Sequence, residues 1–317
     1  MNIVDIPKLV DEILGKALDL NASDIYLLPY EKECLIRFKV NGIQQTQKTV
    51  SSETGLQCIS RIKVLGGLLT YISKSAQDGS FEFQGSSFRC SSIPTIHGER
   101  LTLRILNSGN KLTNLEDLGY SASTLAAMKK IVSCRQGLIL LTGATGSGKT
   151  TTMYALVREI LKLEQDHSSV ISLEDPVEQR LEGISQVEIN EDWGYTEALK
   201  ASLRQDVKTL LIGELRDQEV VRVALDAALS GHRIISTYHA GSIDSIFSRL
   251  LHTGYEPFLV ANAISGCIAL DLEYCRESSC YIPKANCLPV DDECRDMIVK
   301  KPGIKALRDY LKTKVIS

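Results

Sequence analysis

The stretch GLILLTGATGSGKT, residues 137–150, decides how the rest of the chain is read. Its first half is an uninterrupted apolar run of strand length, and its second half is a glycine-rich loop ending in Lys149 and Thr150. Beyond it Met153, Leu156, Val157 and Ile160 recur at helical spacing, so the context is strand, loop, helix. Glycines in such a loop let backbone N–H groups converge on phosphate oxygens, and the start of the following helix adds positive potential. In this pattern Lys149 reaches the terminal phosphates of a nucleotide and the Thr150 hydroxyl ligates magnesium. The nucleotide-binding residues are then Gly143, Ala144, Thr145, Gly146, Ser147, Gly148, Lys149, Thr150 and Thr151, with ATP and Mg2+ as the implied ligands.

Downstream, residues 170–173, 210–212 and 234–237 are further short apolar runs set between helical patterns, the signature of a doubly wound α/β sheet. Ligands of such sheets sit at the carboxyl ends of the strands. The second run ends in EDPVE, which places Glu174, Asp175 and Glu178 at that edge, and the third ends in Gly213 and Glu214. Nucleotide hydrolysis needs one carboxylate for the magnesium shell and another to orient or deprotonate the attacking water. Taken singly, each acid also admits the lesser reading of a solvated acidic loop, and their joint position beside the phosphate loop counts against it. The fourth run leads to His239, with His232 just ahead of it; a histidine there either donates to a γ-phosphate or is a hydrogen-bonded structural imidazole.

Toward the N-terminus the texture is different. Ile3, Ile6, Val10, Ile13, Leu14, Ala17 and Leu18 predict an amphipathic helix. Residues 34–40 alternate as a strand up to Asn41 and Gly42, a dipeptide suited to a tight hairpin. Ser51 and Ser52 offer caps for a helix through Ile59, Ile62 and Leu65 that stops at Gly66 and Gly67. Short strands are expected around Phe81, Phe83, Phe88 and 101–105. The expected organisation is a small α+β domain over 1–106, a polar linker over 107–115, an α/β nucleotide domain over 116–270 and a helical region over 271–317.

The totals agree with two domains: 317 residues, 44% hydrophobic and 24% charged. No run of about 18 apolar residues exists to cross a bilayer, and the first residues carry no secretory signal, so the expected compartment is the cytosol. A formal net charge of -3 with no dense basic, aromatic-interleaved segment argues against direct nucleic-acid contact. Nine scattered cysteines in a chain of this size read mostly as reduced, buried thiols.

Together these segments resemble the type II secretion and type IV pilus traffic ATPases, over about residues 22–258. GATGSGKTTTMYAL is followed by ISLEDPVEQRLEGISQVEIN, which is similar to the family's aspartate box, and by LRQDVKTLLIGELRD, similar to its Walker B region. LSGHRIISTYHA resembles its histidine box, while ASDIYLLP, QDG and FRCSSIPTIHGERLTLRIL resemble its N-terminal, PAS-like nucleotide-contacting domain. The resemblance implies a RecA-like P-loop domain behind that smaller domain, in a homo-hexameric ring. It makes Glu178 the general base and Glu214 the Walker B carboxylate that meets magnesium through water. It assigns His239 to the γ-phosphate, and Arg89, Arg100 and Arg104 to the nucleotide in a closed state, where guanidinium groups neutralise phosphoryl charge.

By the same resemblance the partner is a polytopic inner-membrane platform protein, and the chain works in the cytoplasm, peripherally associated with the cytoplasmic membrane. The EDPVE and EPFLVA stretches are closer to the assembly and secretion branch than to the retraction branch, and the short N-terminus is like that of the competence and pilus forms. There are departures. Tyr26 stands where the family has histidine, Asp206, Val207 and Lys208 replace Asp-Pro-Asp, and Leu270, Asp271 and Leu272 replace Gln-Arg-Leu.

Cys275, Cys280, Cys287 and Cys294 raise the question of a tetracysteine zinc loop, which some secretion members carry. Their spacings of four, six and six residues lack paired two-residue gaps, and Cys294 lies in a helical pattern, DDECRDMI, on its apolar side. The expectation is that two or more of them are core residues. Two other readings of the whole chain stay open at this level: a RecA-like motor on DNA, and a catalytically silent regulatory or scaffold subunit.

Overall fold

A computed structural model describes residues 4–40, 42–106, 114–165, 169–190, 192–275, 280–300 and 304–317. The chain divides into two compact units, Met1–Lys111 and Leu112–Ser317.

In the first unit, helix α1 (Ile6–Asp19) starts where the Asp5 carboxylate accepts the Lys8 N–H at 3.2 Å. Strands β1 (Asp24–Pro29), β2 (Glu33–Val40) and β3 (Ile43–Ser51) follow, then helix α2 (Ser52–Leu65), whose cap is Ser51, accepting from Thr54 N–H. Strands β4 (Gln77–Phe83), β5 (Ser86–Thr95) and β6 (Gly98–Leu106) complete an antiparallel sheet of order β3-β2-β1-β6-β5-β4. Of the expected hairpin turn, Asn41 lies outside the described residues, and Gly42 has φ 78°, the left-handed region that a tight turn requires. One face of the sheet is apolar. Ile25, Leu27, Ile36, Phe38, Phe88, Leu101 and Leu103 close a single core with Val10, Leu14, Ile59 and Ile62 of the two helices. The other face carries Asp24, Tyr26, Arg89, Arg100 and Arg104, because strand side chains alternate between faces.

The second unit opens with a 3-10 turn (Leu115–Leu118) and helix α3 (Ala122–Ser133), and then enters the α/β array. Strands β7 (Gly137–Thr142), β8 (Val170–Glu174), β9 (Ser185–Glu188), β10 (Thr209–Glu214) and β11 (Arg233–Thr237) alternate with helices α4 (Lys149–Glu164), α5 (Tyr195–Ser202) and α6 (Gln218–Leu229). Helices α7 (Ile243–His252) and α8 (Pro257–Ala263) lead to strands β12 (Ile264–Cys275) and β13 (Cys280–Pro289), and helices α9 (Asp292–Val299) and α10 (Ile304–Lys314) end the chain. The sheet order is β13-β12-β7-β11-β10-β8-β9, parallel throughout except for β13. Alternate residues of β7 fall in two separate apolar clusters, Leu138 and Leu140 in one, Ile139 and Leu141 in the other, so both faces of the sheet are covered. That is why the central strands read as continuous apolar runs.

The expected helical region over 271–317 needs correction. Strand β12 runs straight through its boundary and pairs with β13 from Gly266↔Pro289 to Cys275↔Cys280, so among the described residues only the last part, α9 and α10, is helical. Added to the edge of the sheet beside β7, this ribbon buries Cys267, Ile268 and Leu270. Cys287 belongs to one apolar cluster and Cys294 to the cluster on the opposite face of the sheet. These two thiols are therefore core residues on separate sides, and they cannot share a metal ion. Among the described residues no helix is long and apolar enough to cross a membrane.

Candidate functional site: a phosphate loop beside an acidic strand edge

At the end of β7 the backbone turns through Gly143, with φ 148°, and reaches α4 through Gly148, with φ 87°. A Cβ on Gly143 would collide with the backbone carbonyl oxygen of Leu270 in β12, so this position is restricted by both conformation and space. Helix α4 has no side-chain cap, which leaves its first N–H groups directed at the loop. Ala144, Thr145 and Gly146 are exposed, whereas Thr150 and Thr151 are half-buried. Ser147 is buried, and its Oγ has no hydrogen-bond partner among the described residues. The Lys149 ammonium donates to the carbonyls of Gly143 at 2.9 Å and Ala144 at 2.8 Å. Burial pulls its pKa below the ordinary lysine value, partly offset by the charge of Glu214. An uncapped helix start, a buried hydroxyl with no partner and a lysine held inside the loop fit a chain of phosphates, with the Thr150 hydroxyl at the helix start as the side chain for magnesium.

The acids take three different positions. Glu174, at the end of β8, is buried and saturated: it accepts from Tyr154 Oη, from Ser172 Oγ at 2.6 Å and from Gln186 Nε2 at 3.1 Å. Gln186 also donates to the carbonyl of Gln179 at 2.9 Å, and its own Oε1 accepts Leu181 N–H at 2.8 Å. One side chain thus fastens both the buried Glu174 and the loop after β8 that carries Glu178. Glu178 itself is exposed on that loop, close enough for its charge to act on Tyr154, whose phenol is raised by burial first and by Glu174 next.

Glu214 stands at the end of β10, where the register with β11 shifts between Ile212 and Glu214. Such an irregularity re-aims the side chains that follow it. Its Oε2 lies 2.8 Å from His239 Nε2, and its Oε1 accepts from Arg216. Burial works to raise the Glu214 carboxyl, but hydrogen bonds from Arg216 and His239 outweigh it and leave the group below the ordinary carboxylate range. Arg249 holds the His239 backbone by donating to its carbonyl, and its guanidinium lies 5.8 Å from the centre of the Tyr238 ring.

The arginines of the first unit occupy its outer sheet face. Arg89 and Arg104 are direct cross-strand partners in β5 and β6; Arg104 Nε donates to the buried Asp24 at 3.1 Å, and Arg100 lies over the Tyr26 ring at 5.9 Å. Within the second unit the structure brings the phosphate loop, Glu214 and His239 to adjacent strand ends, with Glu178 on the neighbouring loop. Tyr154, Gln186, Tyr195 and Arg216 were not singled out from the sequence. An aromatic or amide residue inside a helix or strand pattern reads as packing, and only the folded chain shows which carboxylate it meets.

Fold and site together define a RecA-like P-loop nucleotide-binding unit preceded by a small α+β unit. Residues 3–308 match the family described as Type II/IV secretion system protein, and the chain belongs to that family. It is 37% identical over 268 residues to the type II secretion system protein E of Pseudomonas aeruginosa, covering 83% of this chain and 53% of that protein. It is 35% identical over 286 residues to the type IV pilus assembly ATPase PilB of Myxococcus xanthus, covering 88% of this chain and 50% of that one. The chain thus spans about half the length of these curated relatives. In fold it is similar to the Legionella pneumophila ATPase DotB, with a TM-score of 0.82 at 23% identity over 98% of this chain and 89% of that one.

Proposed function

We propose that this chain is the ATP-hydrolysing part of a hexameric motor that powers assembly of a type IV pilus, a competence pseudopilus or a type II secretion pseudopilus. The observation that carries the reading is the placing of an uncapped phosphate loop beside the Glu214–His239 pair, in a chain about as similar to a secretion protein E as to a pilus assembly ATPase.

The backbone N–H groups of 143–150 and the Lys149 ammonium bind the phosphate chain, and Lys149 exchanges its loop carbonyls for phosphate oxygens. Thr150 and, through water, Glu214 would hold magnesium, which when bound would supply charge neutralisation on the phosphates. Glu178 orients a water and takes its proton as the water oxygen bonds to the γ-phosphorus and the bond to ADP breaks. His239, tied to Glu214, is placed to feel the presence or loss of the γ-phosphate and to pass it to α7 through the Arg249 contact. Arg89, Arg100 and Arg104 complete the charge balance on closure of a ring of six chains. The partner is a polytopic inner-membrane platform protein, which keeps the motor at the cytoplasmic face of that membrane.

The test is phosphate release by the purified chain with Mg-ATP, with and without DNA, together with its mass in solution with a non-hydrolysable analogue. Turnover that DNA does not stimulate and a six-chain assembly support the reading. No turnover by a folded, nucleotide-binding chain would replace it with that of a regulatory subunit, and strong stimulation by DNA would replace it with a nucleic-acid motor.

A further inference from the structure

Tyr195 begins α5 directly after Gly194, and its ring packs against the apolar cluster on one side of the large sheet. The hydroxyl emerges between the carboxyl ends of β8 and β10. A Cβ built on Gly213 would lie 2.9 Å from Tyr195 Oη, 3.4 Å from the Leu173 carbonyl oxygen and 3.7 Å from the Glu174 Cα. The glycine before Glu214 therefore leaves room for this phenol. The charges that act on it are those of Asp175, Glu214, Arg216 and Glu174, so it sits within the acidic strand edge. It is only half-buried.

A water that attacks phosphorus must direct a lone pair at it, so both of its hydrogens need acceptors elsewhere. One acceptor is the general base. On the reading that this site hydrolyses ATP, we propose that Tyr195 is a catalytic residue of this chain: its hydroxyl donates to a neighbouring carboxylate and accepts the second hydrogen of the attacking water. The step balances without Tyr195 losing a proton. The water oxygen bonds to the γ-phosphorus, the bond to the ADP oxygen breaks, and the water's proton passes to Glu178. The ring alone satisfies the packing, so phenylalanine at this position keeps the fold and removes only the hydroxyl.

The test compares wild type and Tyr195→Phe in the full chain for kcat, KM, thermal midpoint, and affinity for ADP alone and for ADP with aluminium fluoride, which mimics the transferring phosphoryl group. The expected result for Tyr195→Phe is a kcat lower by at least about tenfold, the scale of one hydrogen bond to a charged or reacting group. Affinity for ADP with aluminium fluoride should fall in parallel, while KM, ADP affinity and thermal midpoint stay near wild type, within about twofold for the constants. Wild-type kcat in Tyr195→Phe overturns the proposal, and so does an equal loss of ADP affinity, which would mean a structural role. A wild-type chain that binds ATP without turnover overturns the hydrolase reading and this assignment with it.

Discussion

Glu214 Oε2 and His239 Nε2 meet at 2.8 Å across the ends of β10 and β11, and the same carboxylate takes a second hydrogen bond from Arg216. The histidine thus belongs to the acidic edge, whatever its role toward phosphate. His239→Ala should reduce kcat while leaving ATP affinity within about threefold, since the phosphate loop is untouched. If the two side chains act as a unit, Glu214→Gln combined with His239→Ala should be no slower than Glu214→Gln alone. Steady-state rates of the three variants decide this, and multiplicative losses would separate the two roles.

Lys149 donates to two carbonyls of its own loop, which hold its ammonium within that loop. Lys149→Ala should lower kcat/KM by at least about a hundredfold, because a charge aimed at the phosphates disappears in a site partly shielded from water. Titration with a fluorescent nucleotide alongside the rate measurement checks it. Near wild-type values for both would remove Lys149 from the site.

Gln186 links the buried Glu174 to the loop that carries Glu178. Glu178→Gln should keep Mg-ATP binding and lose at least about a hundredfold in turnover, the scale of a general base. Gln186→Leu should lose turnover through a misplaced Glu178, and also about 1–3 kcal/mol of stability, because Leu181 N–H and the Gln179 carbonyl lose their partner. Urea unfolding and kinetics on the same preparations separate the two effects: the first variant should be slow and stable, the second slow and weakened.

Arg104 is already engaged with Asp24, so a part for it in catalysis requires that this contact be given up or shared. Arg104→Ala should reduce turnover by the whole chain, and Arg104→Lys should restore little of it, because an ammonium lacks the two-pronged guanidinium contact. Asp24→Asn is the control for damage to the first unit. If Arg89→Ala, Arg104→Ala and the double variant all turn over ATP like wild type, the first unit takes no part in hydrolysis.

Burial pushes Cys34, Cys58 and Cys294 up to about 11 and Cys287 up to about 12. An unfolded thiol titrates near about 8.5, so the folded chain holds protons that the unfolded chain has already released above that pH. The stability from these thiols is complete below about pH 8.5 and is lost as pH rises toward the folded values. The urea midpoint should therefore fall between about pH 8 and pH 10, and Cys287→Ala should flatten part of that slope. The exposed Cys134 should be alkylated in the native chain ahead of the buried thiols. A midpoint that does not change across this range would contradict the burial of these thiols.

Much of this architecture is legible along the chain, and the remainder is hidden for identifiable reasons. The strands ending at Thr142, Glu174, Glu214 and Thr237 are legible because burial on both faces leaves unbroken apolar runs, and the loop after the first is set by its glycines. Strand β1 shows no alternation, because Asp24 and Tyr26 on its outer face are buried too, beneath Arg104 and Arg100. The part of the β12–β13 ribbon beyond 271 is hidden because the helix of Cys294 dominates the pattern there, and because pairing partners 5 to 23 positions apart within the ribbon cannot be counted from local periodicity. Tyr195 and Gln186 act on carboxylates distant in sequence, and nothing near them in the chain marks that.

The approach of the Leu270 carbonyl to Gly143 has a mechanical meaning. A main-chain oxygen makes it, so the departure from Gln-Arg-Leu at 270–272 leaves the contact intact: the loop responds to where the ribbon lies and is indifferent to the side chain at that point. A shift of the C-terminal hairpin would arrive at the phosphate loop as a displacement of its first residue. The seat of the ribbon and the geometry that would hold a nucleotide are thereby tied through main chain alone.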